Sequence, residues 1–394
     1  MARLTKEELK KVMDKYKVNT LWSWSKIDTF LTSPYEYYLK YVLHKKEDKD
    51  NCSYATLGSI THNTIEDFYS GKIEYHEMIE QFEDGWLTAI DIANLKFDRN
   101  DEDKNKSISQ KYKENLIHFF KNHIPIKHKI GLEKFITADI NGNVLQGYID
   151  AIYKDDEGFY NIIDWKTSTK FTGKTLEEKS GQLCVYCIGL MQSGVPFEKI
   201  KTGFNFLKYC TIQYKQKNGT VKTRDTERCK IGESLQSNAK LWLKEFGYAD
   251  EIDHYLKLLL DENSIEVLPK EVQEMYVVSD CYVYIPLSKE LIDKWKEVIV
   301  TTIKDITLRE DDFKLTKNEK IFWDSEENIK KQSYYFATLC GYSCNLHKPY
   351  KEYLDKLEAS KNEDIFGVNI TAKKSVDLQK NKNKEVDLSW LDII

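Results

Sequence analysis

Two aspartates and a lysine, Asp150, Asp164 and Lys166, stand in a stretch rich in β-branched and aromatic residues, QGYIDAIYKDDEGFYNIIDWK at 146–166. Carboxylates among apolar neighbours are costly to bury unless something neutralises them. One solution is a divalent cation. Mg2+ takes oxygen ligands, keeps several waters, and is commonly held by one or two carboxylates together with a substrate phosphate. A lysine beside such an ion faces the same phosphate or the attacking water. These three groups are therefore the parts for metal-assisted hydrolysis of a phosphodiester. A lone Asp-x-Lys is more often a surface strand with an ion pair, so the elements that position the three groups decide between the two readings.

Strand signals flank an acidic turn, Asp155-Asp156-Glu157-Gly158: Tyr148, Ile149, Ile152 and Tyr153 before it, Phe159, Tyr160, Ile162 and Ile163 after it. Residues opposite one another in a hairpin share a face. With a five-residue loop from Asp155 to Phe159, Asp150 falls opposite Asp164 and Lys166 lies on that face two positions along. Trp165 and Ile163 then point to the other face. Just before this hairpin, residues 131–147 read as two strands around the turn Asn141-Gly142, and Glu133 in the first of them is at best a supporting acid.

Two helices bracket the strands. From about residue 54 to 70, His62 and Glu66 lie four apart on one face, Gly58 one turn earlier permits close approach, and Leu57, Ile60, Thr64 and Phe68 form an apolar side. After Lys166, Gln182 and Tyr186 are four apart on a helix backed by Leu183, Ile188 and Leu190, with Cys184 and Cys187 as small core residues.

The ordered set G-Y-I-D, I-I-D-W-K-T and Q-x-x-x-Y, with Gly58, His62 and Glu66 upstream as G-x-x-x-H-x-x-x-E, resembles the PD-(D/E)XK nuclease superfamily. It is most similar to the RecB-type branch, which includes phage and CRISPR-associated exonucleases. A further motif of that branch, S-x-S-x-I-x-x-F-x-x-C-P-x-x-Y, is matched from Ser23 to Tyr37 except at Ser33, where the branch has cysteine. The matches run in family order over residues 23–186. The resemblance implies an α/β restriction-endonuclease-like core, a central mixed sheet flanked by helices. It further implies Mg2+ or Mn2+ held by His62, Asp150, Asp164 and the backbone carbonyl of Trp165, with Glu66 as a further ligand or as a group orienting water or His62. Lys166 would position the water or stabilise the transition state, and Gln182 and Tyr186 would contact the substrate. In iron–sulfur members the cysteine at the position of Ser33 is a cluster ligand, with others near the C-terminus. Here Cys340 and Cys344 are separated by three residues and no third cysteine follows, which argues against an intact cluster. A zinc site at Cys340, Cys344 and His347 lacks a fourth ligand.

The remaining sequence sets bounds. The 394 residues, 41% hydrophobic, suffice for a sizeable core, and a net charge of −5 argues against a histone-like DNA binder while allowing local basic patches. No apolar run approaches a membrane span, the N-terminal residues lack an apolar signal core, and the cysteines lack the density of a secreted scaffold, so a reducing cytoplasm, bacterial or phage-infected, is the expected compartment. We expect a helical N-terminal part at 1–130 carrying His62, a core at 131–215, a helical insertion at 216–280, strand and helices at 281–360, and a flexible tail at 361–394. A capping box is expected at Ser25 and Asp28, and a helix start at Ser33-Pro34. The tyrosines of 37–41 either pack on the sheet or stack on bases. The closing stretch 387–394, with Trp390, Leu391 and Ile393, reads as a docking peptide for a replication or recombination protein or as a segment folding back on its own domain. The function implied is a metal-dependent deoxyribonuclease, an exonuclease acting at single-stranded or duplex DNA ends in replication, recombination or repair. The alternatives are a structure-specific endonuclease and a noncatalytic DNA-binding subunit.

Overall fold

The structure, a computed structural model, describes residues 3–48, 53–98 and 101–366. The stretch 387–394 therefore lies outside the described residues. By its contacts the chain divides into two compact units, residues 1–27 with 51–303, and residues 28–50 with 304–394.

The first unit is built on one mixed sheet of seven strands. Its centre is β3 (Asn143–Lys154), paired antiparallel along one edge with β2 (Ile130–Ile140). The turn between them is Asn141-Gly142, both with positive φ, 53° and 80°, a conformation that asparagine and glycine tolerate best. Along its other edge β3 pairs first with the short parallel β1 (Trp22–Ser23) and then with β4 (Tyr160–Lys166). A helical crossover leads from β4 to the parallel β5 (Ile200–Lys215), as parallel pairing requires. The far half of β5 carries β6 (Val221–Glu227), and β7 (Tyr276–Tyr284) runs along its opposite edge.

Helices cover both faces. On one side α4 (Ser53–Tyr69), α5 (Glu77–Trp86) and α6 (Glu102–Asn122) bury Leu57, Ile65, Phe82, Leu116 and Phe120 against Ala151, Ile163, Trp165 and Leu207. On the other, α8 (Gly181–Gln192) buries almost every side chain along its length, which is why its apolar residues show so little helical periodicity. Cys184 and Cys187 are among them, and burial pushes both thiols up to about 12. The far half of β5 has its own core, Cys210 and Ile212 against α9 (Ile231–Glu245) and α10 (Ile252–Asp261). A buried polar cluster ties these parts together. Asp280 accepts from the Arg228 guanidinium at 2.5 Å and from His123 Nδ1 at 2.7 Å, Arg228 Nε donates to Leu207 O, and His123 Nε2 meets Tyr69 Oη at 2.8 Å.

In the second unit Ser33 caps α3 (Pro34–Tyr37), with Oγ accepting from Glu36 N and proline at the first helical position, as the sequence predicts. Tyr35, Tyr37 and Tyr38 are buried there; Tyr38 stacks on Phe322, and Tyr35 meets the His347 ring. These tyrosines pack within this unit rather than standing ready for bases. Ser33 Oγ also donates to Asp324 Oδ2 at 2.7 Å and meets His347 Nε2 at 3.1 Å, while Cys340 and Cys344 form no disulfide among the described residues. The cap of α2 (Trp24–Thr32) differs from expectation. Ser23 accepts from the third helical N–H, that of Lys26, and the helix begins ahead of Ser25, because β1 pairing ends at Ser23 and the helix starts at once. Among the described residues, no helix is long and apolar enough to cross a membrane.

Candidate active site

The hairpin carrying the two aspartates has the expected register. Ala151 pairs with Ile163 and Lys154 with Tyr160, which places Asp150 opposite Asp164 one step further along. The loop closes by Asp155 N donating to Phe159 O and Phe159 N donating to the Asp155 carboxylate. Strand alternation then sends Trp165 into the core under α4 and α6, and leaves Asp164 and Lys166 on the opposite face.

Asp164 is 2% exposed, and Lys166 Nζ lies 2.5 Å from its Oδ2. That contact is ionic rather than a directed hydrogen bond, since no donor is aligned on the buried Oδ2. Asp150 Oδ2 accepts from Trp165 N–H at 3.1 Å and lies 3.7 Å from His62 Nδ1. His62 Nε2 is 2.9 Å from Trp165 O; a carbonyl only accepts, so Nε2 carries the proton. Burial holds the imidazole below its usual range, against the pull of Asp164, and so favours its neutral form. Nδ1 then presents a lone pair 3.7 Å from the Asp150 carboxyl, with no hydrogen bond between them. Burial and the neighbouring Asp164 charge push the Asp150 carboxyl well above the usual range, although Lys166 pulls it down. His62, Asp150, Asp164, Lys166 and the Trp165 peptide are thus brought together.

Glu66 stands further out. Burial and the charge of Glu133 raise its carboxyl. With His62, Asp150 and Glu133 it lines a polar cavity of about 470 Å3 that opens over α4. Gly58 lines it too, but a Cβ there would meet Thr167 Oγ1 at 3.5 Å, an ordinary contact; close approach is not what the position needs. Gln182 and Tyr186 sit behind β3. Gln182 Nε2 donates to Tyr186 Oη, which donates to Tyr148 O at 2.6 Å, two residues before Asp150. The glycine of Gly-Tyr-Ile-Asp explains itself here: a Cβ on Gly147 would lie 2.6 Å from the Tyr186 ring.

Two residues count for more than the sequence reading gave them. Glu133 falls opposite Asp150, between the pairs Leu132–Ala151 and Lys134–Ile149, and its φ of 45° is left-handed in the middle of a strand. Arg3 lines the cavity and lies 3.9 Å from Glu133. Neither a positive φ nor a contact across 130 positions leaves a mark in local sequence.

A family model described as the PD-(D/E)XK nuclease superfamily matches residues 21–345. The chain belongs to the PD-(D/E)XK nuclease superfamily. No curated protein matches it. Such nucleases typically use divalent metals, and the donor set fits: two carboxylates in mutual repulsion, a carbonyl and a neutral imidazole suit a hard or borderline divalent ion. As the side chains lie, no three His, Cys, Asp or Glu among the described residues are arranged to hold an ion. Lys166 closes on Asp164, and His62 on the Trp165 carbonyl.

Proposed function

We propose that this nuclease is a metal-dependent deoxyribonuclease of the RecB-type branch, an exonuclease acting on DNA ends in the cytoplasm of a bacterium or phage-infected host. The observation that carries the reading is the pair Asp150 and Asp164, opposite one another beside Lys166, with the His62 lone pair facing Asp150. Asp150, Asp164, His62 Nδ1 and the Trp165 carbonyl would hold Mg2+ or Mn2+, with Glu66 completing the shell or orienting water. The Trp165 oxygen has two lone pairs and can accept from His62 and still ligate. The bound ion would supply a water acidic enough to attack and would offset charge on the phosphate.

The chain's own groups prepare that chemistry. Trp165 N–H fixes the rotamer of Asp150, and Lys166, neutralising Asp164 here, is placed to turn its ammonium to a phosphate oxygen. Tyr186 acts through the strand it holds, while Gln182 keeps a second amide hydrogen for the substrate. End-labelled single- and double-stranded DNA, incubated with Mg2+, Mn2+ or EDTA beside a circular duplex, tests the reading. Ends should be digested with either ion and spared in EDTA, and the circle should stay intact. A nicked or linearised circle would make the enzyme an endonuclease.

A further inference from the structure

The cavity over the candidate site is rimmed by three acids, Glu66, Glu133 and Asp150, and among the described residues lining it Arg3 alone carries a permanent positive charge. A nucleic-acid strand entering there meets repulsion that a single divalent ion only partly offsets. Arg3 is held at the rim by a built arm. The helix α1 (Lys6–Tyr16) starts with a capping box between Thr5 and Glu8. Leu4 N donates to Tyr148 Oη at 2.9 Å, the Arg3 guanidinium lies 5.4 Å over the Tyr148 ring, and Tyr16 Oη bonds Thr137 Oγ1 at 2.8 Å. Tyr148 is two residues before Asp150 on β3, so the arm is fastened to the strand that carries the first aspartate. The Arg3 side chain itself is 77% exposed, and its ion pair with Glu133 is long, 3.9 Å from Nε. Its terminal nitrogens make no hydrogen bond among the described residues. An anchored backbone carrying a planar fork whose terminal nitrogens hold no hydrogen bond among the described residues suits a phosphate, which guanidinium groups bind with two parallel hydrogen bonds.

We propose that Arg3 is a substrate-binding residue, its guanidinium holding a phosphate of the DNA strand next to the bond to be cut, and that the N-terminal arm exists to place it there. This rests on the nuclease reading above. The test uses the full chain carrying Asp164→Asn, so that DNA binds without being cut, and short fluorescein-labelled oligonucleotides in a salt series with Mg2+. Arg3→Ala should weaken binding roughly tenfold and flatten the salt dependence by about one phosphate contact. Arg3→Lys should restore the slope but not the full affinity, and Arg3→Glu should weaken binding more than alanine. In the cutting enzyme, Arg3→Ala should raise KM and leave kcat nearly unchanged, with the thermal midpoint unmoved. Unchanged affinity and slope in Arg3→Ala, in a protein whose wild type cuts DNA, would overturn this proposal alone. A wild type that neither cuts nor binds DNA with any divalent ion would overturn the nuclease reading and this inference with it.

Discussion

Asp150 and Asp280 are both enclosed carboxylates of the first unit with a histidine and a cation nearby, and their surroundings push them in opposite directions. For Asp280, burial pulls the carboxyl upward, but the hydrogen bond from His123 and the Arg228 guanidinium override it and hold it below the usual range. Every oxygen is engaged: Arg228 on Oδ1, His123 and Ile124 N–H on Oδ2. Asp150 has the same kinds of neighbour in the wrong arrangement. Its histidine donates its N–H to the Trp165 carbonyl, the nearby lysine pairs with Asp164, and a second carboxylate adds repulsion. A satisfied cluster holds a fold together; one left in conflict marks a place where something else is meant to bind.

The largest effect expected from breaking this contrast is on cutting. Asp150→Ala, Asp164→Ala and Lys166→Ala should each reduce the cleavage rate at least ~1000-fold, about 4 kcal/mol of barrier, while far-UV circular dichroism and DNA binding persist. Retained cutting by purified Asp164→Ala would remove the site assignment. Asp280→Ala should do the reverse, costing about 3–5 kcal/mol of stability in urea titrations by stranding Arg228 in the core, with normal activity in the molecules that stay folded. A stable but inactive Asp280→Ala would show that the two clusters are one machine.

Acidity should separate them next. Asp280 is lowered in the folded state, so its contribution is present above the unfolded carboxyl value of about 3.9 and is lost as pH falls through the folded one. Asp150 is raised, so in EDTA the folded protein loses stability as pH climbs from that same unfolded value through the higher folded value. At neutral pH without metal, Asp150→Asn should therefore stabilise by on the order of 1 kcal/mol, a gain reversed when Mn2+ is added to the wild type. Equal pH profiles for wild type and Asp150→Asn would mean the carboxyl is not in conflict. The smallest change is Gly58→Ala: with ordinary contact at Thr167 and the higher helix propensity of alanine, it should gain about 0.5–1 kcal/mol and cut normally.

The sequence made the hairpin legible because strand periodicity and loop length fix which residues oppose one another, and the Asp150–Asp164 register follows from that alone. The helix carrying His62 and the helix carrying Gln182 were legible through spacing and family pattern. What local pattern could not carry was long-range closure. Arg228, Asp280 and His123 come from three separate elements, Arg3 reaches Glu133 from the far end of the unit, and the left-handed backbone of Glu133 sits in a residue type that gives no warning of it. The helix starts directly after Ser23 rather than after the expected Ser25 for a related reason: a two-residue strand that ends where a helix begins is set by its partner β3, not by its own residues.

The fit of the Tyr186 ring into the space left by Gly147 has an evolutionary corollary. Position 147 can acquire a side chain only if position 186 surrenders its ring, and with the ring goes the hydroxyl that steadies the strand of Asp150. Homologues of this nuclease should vary at the two positions as a couple. A lineage keeping tyrosine while replacing the glycine would have had to re-seat an entire helix to do so.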